Sequence, residues 1–294
     1  MLQYSPEGLH FTPPEPEDLR RGAGTGAIFQ GICVKCDEFH NLHVDLGSVR
    51  GLIPREEAAW GISEGTTKEI ALLSRVGKAV SFQVLAFDRH GTAILSRRAA
   101  QAEARDFFLY TLEPGTVLPA IVQTAADFGV FCDIGCGFIA MMRIDRCCVS
   151  RLERTSQRFY PGQQIYAAVL SKDPSAGQIH LTGRELLGTW EENAAKFRAG
   201  QTVPGIVRSI MPYGIFIELT PNLSGLAEPQ SGIQIGDAVS VYIRSIQKEK
   251  HKIKLNILEV LPACPQTPSP EYFLSSGVID RWEYYPGSTA FTIF

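Results

Sequence analysis

Apolar and polar residues alternate along this chain in short runs with a period of two. Val239, Val241 and Ile243 face one way while Ser240 and Tyr242 face the other; Ile253, Leu255 and Ile257 alternate in the same manner with Lys252, Lys254 and Asn256. This is the pattern of half-buried strands, with scattered glycines and prolines marking the turns. The runs recur in one order three times, over about 26–98, 112–185 and 197–258. In each unit an apolar run (Ile28 to Val34, Val117 to Gln123, Val203 to Ile210) precedes a paired motif. The motifs are His40-Asn41-Leu42-His43-Val44-Asp45, Phe128-Gly129-Val130-Phe131-Cys132-Asp133 and Tyr213-Gly214-Ile215-Phe216-Ile217-Glu218. Next come Gly51-Leu52, Gly137-Phe138 or Gly225-Leu226, then Val76-Gly77, Pro161-Gly162 or Ile235-Gly236. The units close on Ile94-Leu95-Ser96, Ile179-His180-Leu181-Thr182 and Ile253-Lys254-Leu255-Asn256.

Internal repetition of this kind decides the fold before any single motif does. Five short strands in a unit of roughly 60–75 residues suit a small closed barrel of the OB type, and closure removes exposed sheet edges. The expected class is all-β, with three tandem five-stranded OB-fold barrels joined by short helical connectors at 99–111 and 186–196. Arg97 to Ala104 is rich in helix formers, and Thr189 with Glu192 has the spacing of a capping box. Residues 1–25, with Pro13, Pro14 and Pro16, read as a loosely attached arm. Residues 259–294 read as a proline-rich linker, Pro262 to Pro270, followed by an aromatic tail. The tail is expected to turn as a hairpin at Pro286-Gly287-Ser288 and to pack on the third barrel, the other reading being an apolar patch that docks on a partner.

Composition narrows the function classes. The 294 residues are 45% hydrophobic and 20% charged, enough to bury cores and unlike a disordered chain. A net charge of -3 excludes a uniformly basic binder but not local basic faces. No apolar run reaches membrane-spanning length, the first residues lack a secretory pattern, and seven cysteines is an odd number. Reduced thiols in a cytoplasmic protein are expected. Cys33-x-x-Cys36 has no second pair of matching spacing, so strand thiols are a better reading than zinc ligands. Gly22-x-Gly24-x-Gly26 follows no strand, and no nucleophile elbow, phosphate-loop lysine or metalloprotease motif is present. The sequence nominates no catalytic residue, metal or cofactor.

The ring-bearing second strands, the Gly-Leu turns and the closing Leu-Ser runs together resemble the S1 RNA-binding domain of the small-subunit ribosomal protein S1 family. The chain looks like the short three-repeat bacterial homologues, not the longer multi-repeat form. The resemblance covers about 26–258 and is strongest in the second and third units. It implies single-stranded RNA as the partner, mRNA above all, together with the small ribosomal subunit, and neither a membrane nor a small-molecule substrate. It places RNA contacts on Phe128 and Phe131, on Tyr213 and Phe216, and on His40 and His43, which stack less strongly. The acidic position before the last strand is Asp88, Asp173 and then Gln247. The basic position opening that strand is Thr92, Gln178 and Lys252. The family's third-strand histidine is replaced, by Pro54, Met141 and Glu228.

The residues themselves favour the same chemistry. Unpaired RNA exposes base faces that aromatic side chains cover, while lysine and arginine hold phosphates. By alternation Phe131 and Phe216 point opposite to Val130/Cys132 and Ile215/Ile217, out of the barrel. Lys248, Lys250, Lys252 and Lys254 cluster at the last strand of the third unit, and Arg143, Arg146, Arg151, Arg154 and Arg158 fill an insert of the second. Basic against acidic residues number nine and eight in 26–98, seven and seven in 112–185, and seven and four in 197–258, so the third unit is the basic one. Two other readings stay open: a protein-interaction module docking on the ribosome or another complex, and the substrate-binding part of an RNA-processing machine.

Overall fold

The computed structural model describes residues 4–262 and 270–294; most of the expected proline-rich linker lies outside them. Three closed five-stranded barrels follow one another along the chain. The first holds β1 (Ile28–Cys36), β2 (Leu42–Leu46), β3 (Val49–Ile53), β4 (Ala79–Phe87) and β5 (Ala93–Ser96). The second holds β6 (Val117–Ala126), β7 (Gly129–Gly135), β8 (Phe138–Arg143), β9 (Gln164–Asp173) and β10 (Gln178–Thr182). The third holds β11 (Thr202–Met211), β12 (Gly214–Thr220), β13 (Leu223–Ala227), β14 (Ala238–Gln247) and β15 (Lys252–Val260). A hairpin of β16 (Arg281–Glu283) and β17 (Phe291–Ile293) follows, around the expected Pro286-Gly287-Ser288. No helix among the described residues is long and apolar enough to cross a membrane.

Each barrel closes in the same way. Its long first strand pairs with the second strand at one end and the fourth at the other, and the third and fifth pair in parallel. The first strand must bend sharply between its two partners, so its inward residue there is small: Gly31, Ala120 or Gly205. A Cβ on Gly31 would sit 2.5 Å from Val44, and one on Gly205 2.5 Å from Ile217. Inward residues such as Leu42, Val44 and Leu46, or Val239, Val241 and Ile243, are buried, as alternation requires.

Helices link the barrels. α1 (Pro16–Gly22) lies in the arm and α2 (Ile70–Leu73) in the connection before β4. α3 (Arg97–Asp106) starts on an Ser96 cap and runs into a π-helical turn, Phe107–Thr111. α4 (Trp190–Ala194) starts on the Thr189–Glu192 capping box.

The arm is not loosely attached. Tyr4, Glu7 and Leu19 are buried, and Tyr4 packs edge-on against Phe107 and Phe108. Glu7 accepts a bidentate pair of bonds from Arg97 (2.8 and 2.9 Å) and a third from the Ser81 amide at 2.9 Å, with Arg75 3.6 Å away. Its own amide donates to Asp133 of β7 at 2.9 Å. Glu7 therefore ties the first barrel to the second, its carboxylate held by Ser81 and Arg97 and its backbone amide by Asp133. The prolines alone suggest a loosely attached arm, because Glu7 has meaning only beside a guanidinium ninety residues away.

The joint between the second and third barrels uses the same chemistry. Arg158 bonds Glu218 of β12 at 2.6 and 2.8 Å, and Arg208 of β11 bonds it at 2.7 Å, all three side chains being buried. The Asn222 carboxamide accepts from the Val149 amide and donates to the Arg184 and Gly188 carbonyls. Removing one member of a buried ion pair strands the other. Glu7→Ala should therefore cost about 3 kcal/mol or more of stability, read as a lowered denaturant midpoint. An unchanged midpoint would mean that Arg97 is neutralised without the arm.

Candidate nucleic-acid interface

The strand registers assemble a matched row of residues around the outside of every barrel. In the second barrel Thr124 faces Phe131, Phe131 faces Met141, Met141 faces His180, and His180 faces Ser171. In the third the row is Ser209, Phe216, Leu226, Lys254 and Ser245. In the first it is Lys35, His43, Leu52, Ile94 and Ala86. Phe131 and Phe216 are half-buried, while Val130, Cys132, Ile215 and Ile217 beside them are buried. The rings therefore lie on the outer face, on the side that alternation assigns them.

A second ring stands at the hairpin turn beside each. Phe128 is 61% exposed and Tyr213 67%. Phe128 meets Phe131 edge-to-face at 5.9 Å between centroids, and Tyr213 meets Phe216 in the same geometry at 6.2 Å. The residue after each turn ring is glycine for a steric reason. A Cβ on Gly214 would come within 2.7 Å of the Ala227 carbonyl oxygen, and one on Gly129 within 2.8 Å of the Met142 carbonyl oxygen. The Ile144 amide donates to the Phe128 carbonyl at 3.0 Å and holds that hairpin against β8.

The registers also correct one equivalence. Met141 faces the outer ring, as Leu226 and Leu52 do, so it is not the counterpart of Glu228 and Pro54. That place belongs to Arg143, which pairs with Gly129 beside Phe128 and is exposed. Where the family pattern has a histidine, the second barrel carries an arginine, in an exposed pair with Asp145 at 3.0 Å.

The first barrel differs. Its β1–β2 hairpin is one residue longer, and His40 takes a left-handed backbone with φ of 62°. The His40 ring is drawn to Glu69 at 3.3 Å. The ring at the turn is instead Phe39, 69% exposed, which sequence spacing passed over because it lies one position before the aligned histidine. Asp37 organises this hairpin: it accepts from the Phe39 and Asn41 amides, from the Asn41 side chain, and pairs with His43 Nε2 at 3.1 Å. Burial alone would push the Asp37 carboxyl up, but the bonds from Asn41, His43 and Phe39 outweigh it and hold it at about 2.

The other candidates divide into exposed cations and residues with structural partners. Lys248, Lys250, Lys252 and Lys254 are all exposed, and Lys254 lies in the same row as Phe216. Arg151 and Arg154 are exposed. Arg146 is half-buried and reaches Thr292 of the tail at 3.4 Å. Arg158, expected in the same basic insert, is buried in the joint with Glu218 and is not available to phosphate. Asp88 and Asp173 cap the β4–β5 and β9–β10 turns, Asp88 on the His90 and Thr92 amides, Asp173 on Ser175 Oγ and the Ala176 amide. Those bonds keep both carboxyls below the usual range. His180 joins the second row although the sequence reading did not nominate it, and its Nδ1 is buried without a partner among the described residues. Its place opposite Met141 was the missing signal.

Among the described residues Cys33, Cys132, Cys136, Cys147 and Cys148 are buried in the cores and Cys36 is half-buried against one. Burial pushes the Cys132 and Cys136 thiols up to about 12, which leaves them protonated and poor nucleophiles. Among the described residues no group of His, Cys, Asp or Glu is arranged to hold a metal.

Closed barrels in tandem, each with outward rings on its second strand, define an OB-fold protein of the S1 type. Residues 23–98, the first barrel, match the S1 RNA binding domain model, although this is the unit whose ring pair departs most from the pattern. The "Small ribosomal subunit protein bS1 homolog" of Bacillus subtilis is 30% identical over 273 residues, covering 87% of this chain and 69% of its own length. The Bacillus cereus homologue is 27% identical, covering 82% and 65%. The "Small ribosomal subunit protein bS1" of Mycolicibacterium smegmatis is 25% identical, covering 62% of this chain and 41% of itself. The chain belongs to the bS1 family, and it spans about two thirds of the Bacillus relatives and under half of the mycobacterial one.

The Asp37 network makes a prediction about acid. A carboxyl whose folded value is depressed contributes stability above its unfolded value and loses it as pH falls through the folded one. Between about pH 4 and pH 2 the Phe39 and Asn41 amides should lose protection from hydrogen exchange, while the Gly162 amide, bonded to the Val122 carbonyl in the second barrel with no carboxylate involved, keeps it as the control. Retained protection at pH 2 would show that Asp37 does not hold the hairpin.

Proposed function

We propose that this protein binds single-stranded RNA, mRNA above all, in association with the small ribosomal subunit, and that it acts by holding RNA rather than by catalysis. The observation that carries the reading is the repetition of one outward row in the second and third barrels. In each, a ring pair at the hairpin stands beside a cation: Arg143 next to Phe128, Lys254 in line with Phe216. Exposed rings offer base-stacking shelves that tolerate any sequence, and the neighbouring cations hold the phosphates. The names of the bS1 relatives give the ribosomal setting.

A second reading applies to the first barrel. Its row carries Leu52, Ile94 and Ala86 where the others carry Met141, His180 and Ser171 or Leu226, Lys254 and Ser245. Val34 and Leu85 are exposed beside it. This apolar face suits contact with protein better than with phosphate, so the first barrel serves to dock the chain while the other two hold RNA.

Phe131→Ala combined with Phe216→Ala should weaken binding of an unstructured oligoribonucleotide by about 1–3 kcal/mol per lost stack. A filter-binding titration in which the double variant equals the parent would reject these rings as the site. Affinity should also fall with salt, by a slope of about 0.7 per phosphate neutralised. Replacing Lys252 and Lys254 with glutamine should flatten that slope. An unchanged slope would place the phosphate contacts elsewhere.

A further inference from the structure

The tail, residues 270–294, has a position that barrel closure does not explain: it touches both of the last two barrels. Toward the second barrel, Val278 bridges Thr116, the Ile279 amide donates to Gly115, and Gly277 accepts from the Val117 amide at 2.9 Å. Thr292 Oγ1 donates to the buried Glu185 at 2.5 Å and accepts from Arg184 at 3.1 Å. Tyr272 meets Tyr166 of β9 edge-to-face at 5.3 Å. Toward the third barrel, Trp282 and Tyr284 are buried in the cluster that holds Val239, Val241 and Ile243. The Tyr284 hydroxyl donates to the Asn222 carbonyl, and Tyr285 stacks on His251 with centroids 4.1 Å apart. Between the two, the Trp190 amide of the connecting helix donates to the Tyr284 carbonyl at 2.9 Å.

We propose that the tail is a strap that fixes the second barrel against the third, so that the Phe131 and Phe216 rows act as one continuous binding surface for a single RNA strand. The inference rests on the RNA reading above. Two sites on a freely jointed pair lose part of their avidity to the freedom of the joint, and a fixed pair does not. The strap's effect should therefore appear only with RNA long enough to reach both rows. The basic insert and its buried Arg158–Glu218 pair already set the barrels side by side. The strap limits how far that pair can rock.

The test uses the full chain with Tyr272→Ala, Ile279→Pro and Thr292→Val, which removes the two side-chain ties and breaks the Val278 bridge to the second barrel while leaving Trp282 and Tyr284 in the third. A companion variant ends before residue 270. Binding is measured to an oligoribonucleotide of about 6 nucleotides, within the reach of one barrel, and to one of about 25, which spans two. Backbone relaxation by NMR reports whether the two barrels tumble together. The expected result is unchanged affinity for the short RNA, about tenfold weaker binding of the long one, and separate tumbling. Joint tumbling in the point variant, or equal losses for both RNAs, overturns the strap. If the parent binds neither RNA, the RNA reading fails, while tumbling still decides whether the tail fixes the joint. If the truncated chain loses the third barrel's fold, the point variant alone decides.

Discussion

A strand shows every second residue on one face, and in this protein that constraint makes the outer face of each second strand serve two purposes. Phe131 and Asp133 lie two residues apart on β7, as do Phe216 and Glu218 on β12. The ring looks out where RNA is proposed to lie. The carboxylate is buried against the barrel before it, through the Glu7 amide in one case and through Arg158 in the other. In the first barrel, which none of the others precedes, the matching Asp45 is exposed and caps the Gly47 amide. The position is thus acidic in all three barrels, buried at the two joints and exposed in the first barrel.

Burying these charges would be costly without partners, and both joints supply them generously. Asp133 accepts amides from Glu7, Gly135 and Gly137, and Glu218 takes two guanidiniums. Burial and then the neighbouring Glu7 carboxylate push Asp133 above the usual carboxyl range, against the pull of those amides and of Arg97. The terminal segments reinforce the same joints: the arm supplies Glu7 to the first, and the hairpin of β16 and β17 lies across the second. Joints tied in this way suit the proposed use of several modest sites on one strand, because they leave less freedom to lose on binding.

Most of the fold could be read in the sequence, because a period-two pattern repeated in one order leaves few alternatives to a closed five-stranded unit. The outward rings followed from the same alternation, and the capping box at Thr189 from its three-residue spacing to Glu192. What escaped was whatever depends on contacts distant in sequence. Glu7 sat among prolines and Arg158 among surface-like arginines, and neither revealed a buried partner. Met141 was set beside Glu228 although equal spacing from the rings leads to Arg143, since the alternating apolar run gave no register of its own. Phe39 was hidden by a single extra residue in a hairpin, and His180 by lying on the last strand, where only the parallel pairing with β8 brings it to the rings.

The account stands on the outward rows being where RNA lies. Photocrosslinking the protein to an unstructured oligoribonucleotide and mapping the joined residues reads this directly. Crosslinks should concentrate on Phe128, Phe131 and His180 in the second barrel and on Tyr213, Phe216 and Lys254 in the third. Crosslinks confined to the first barrel or the tail, with both rows bare, would contradict it.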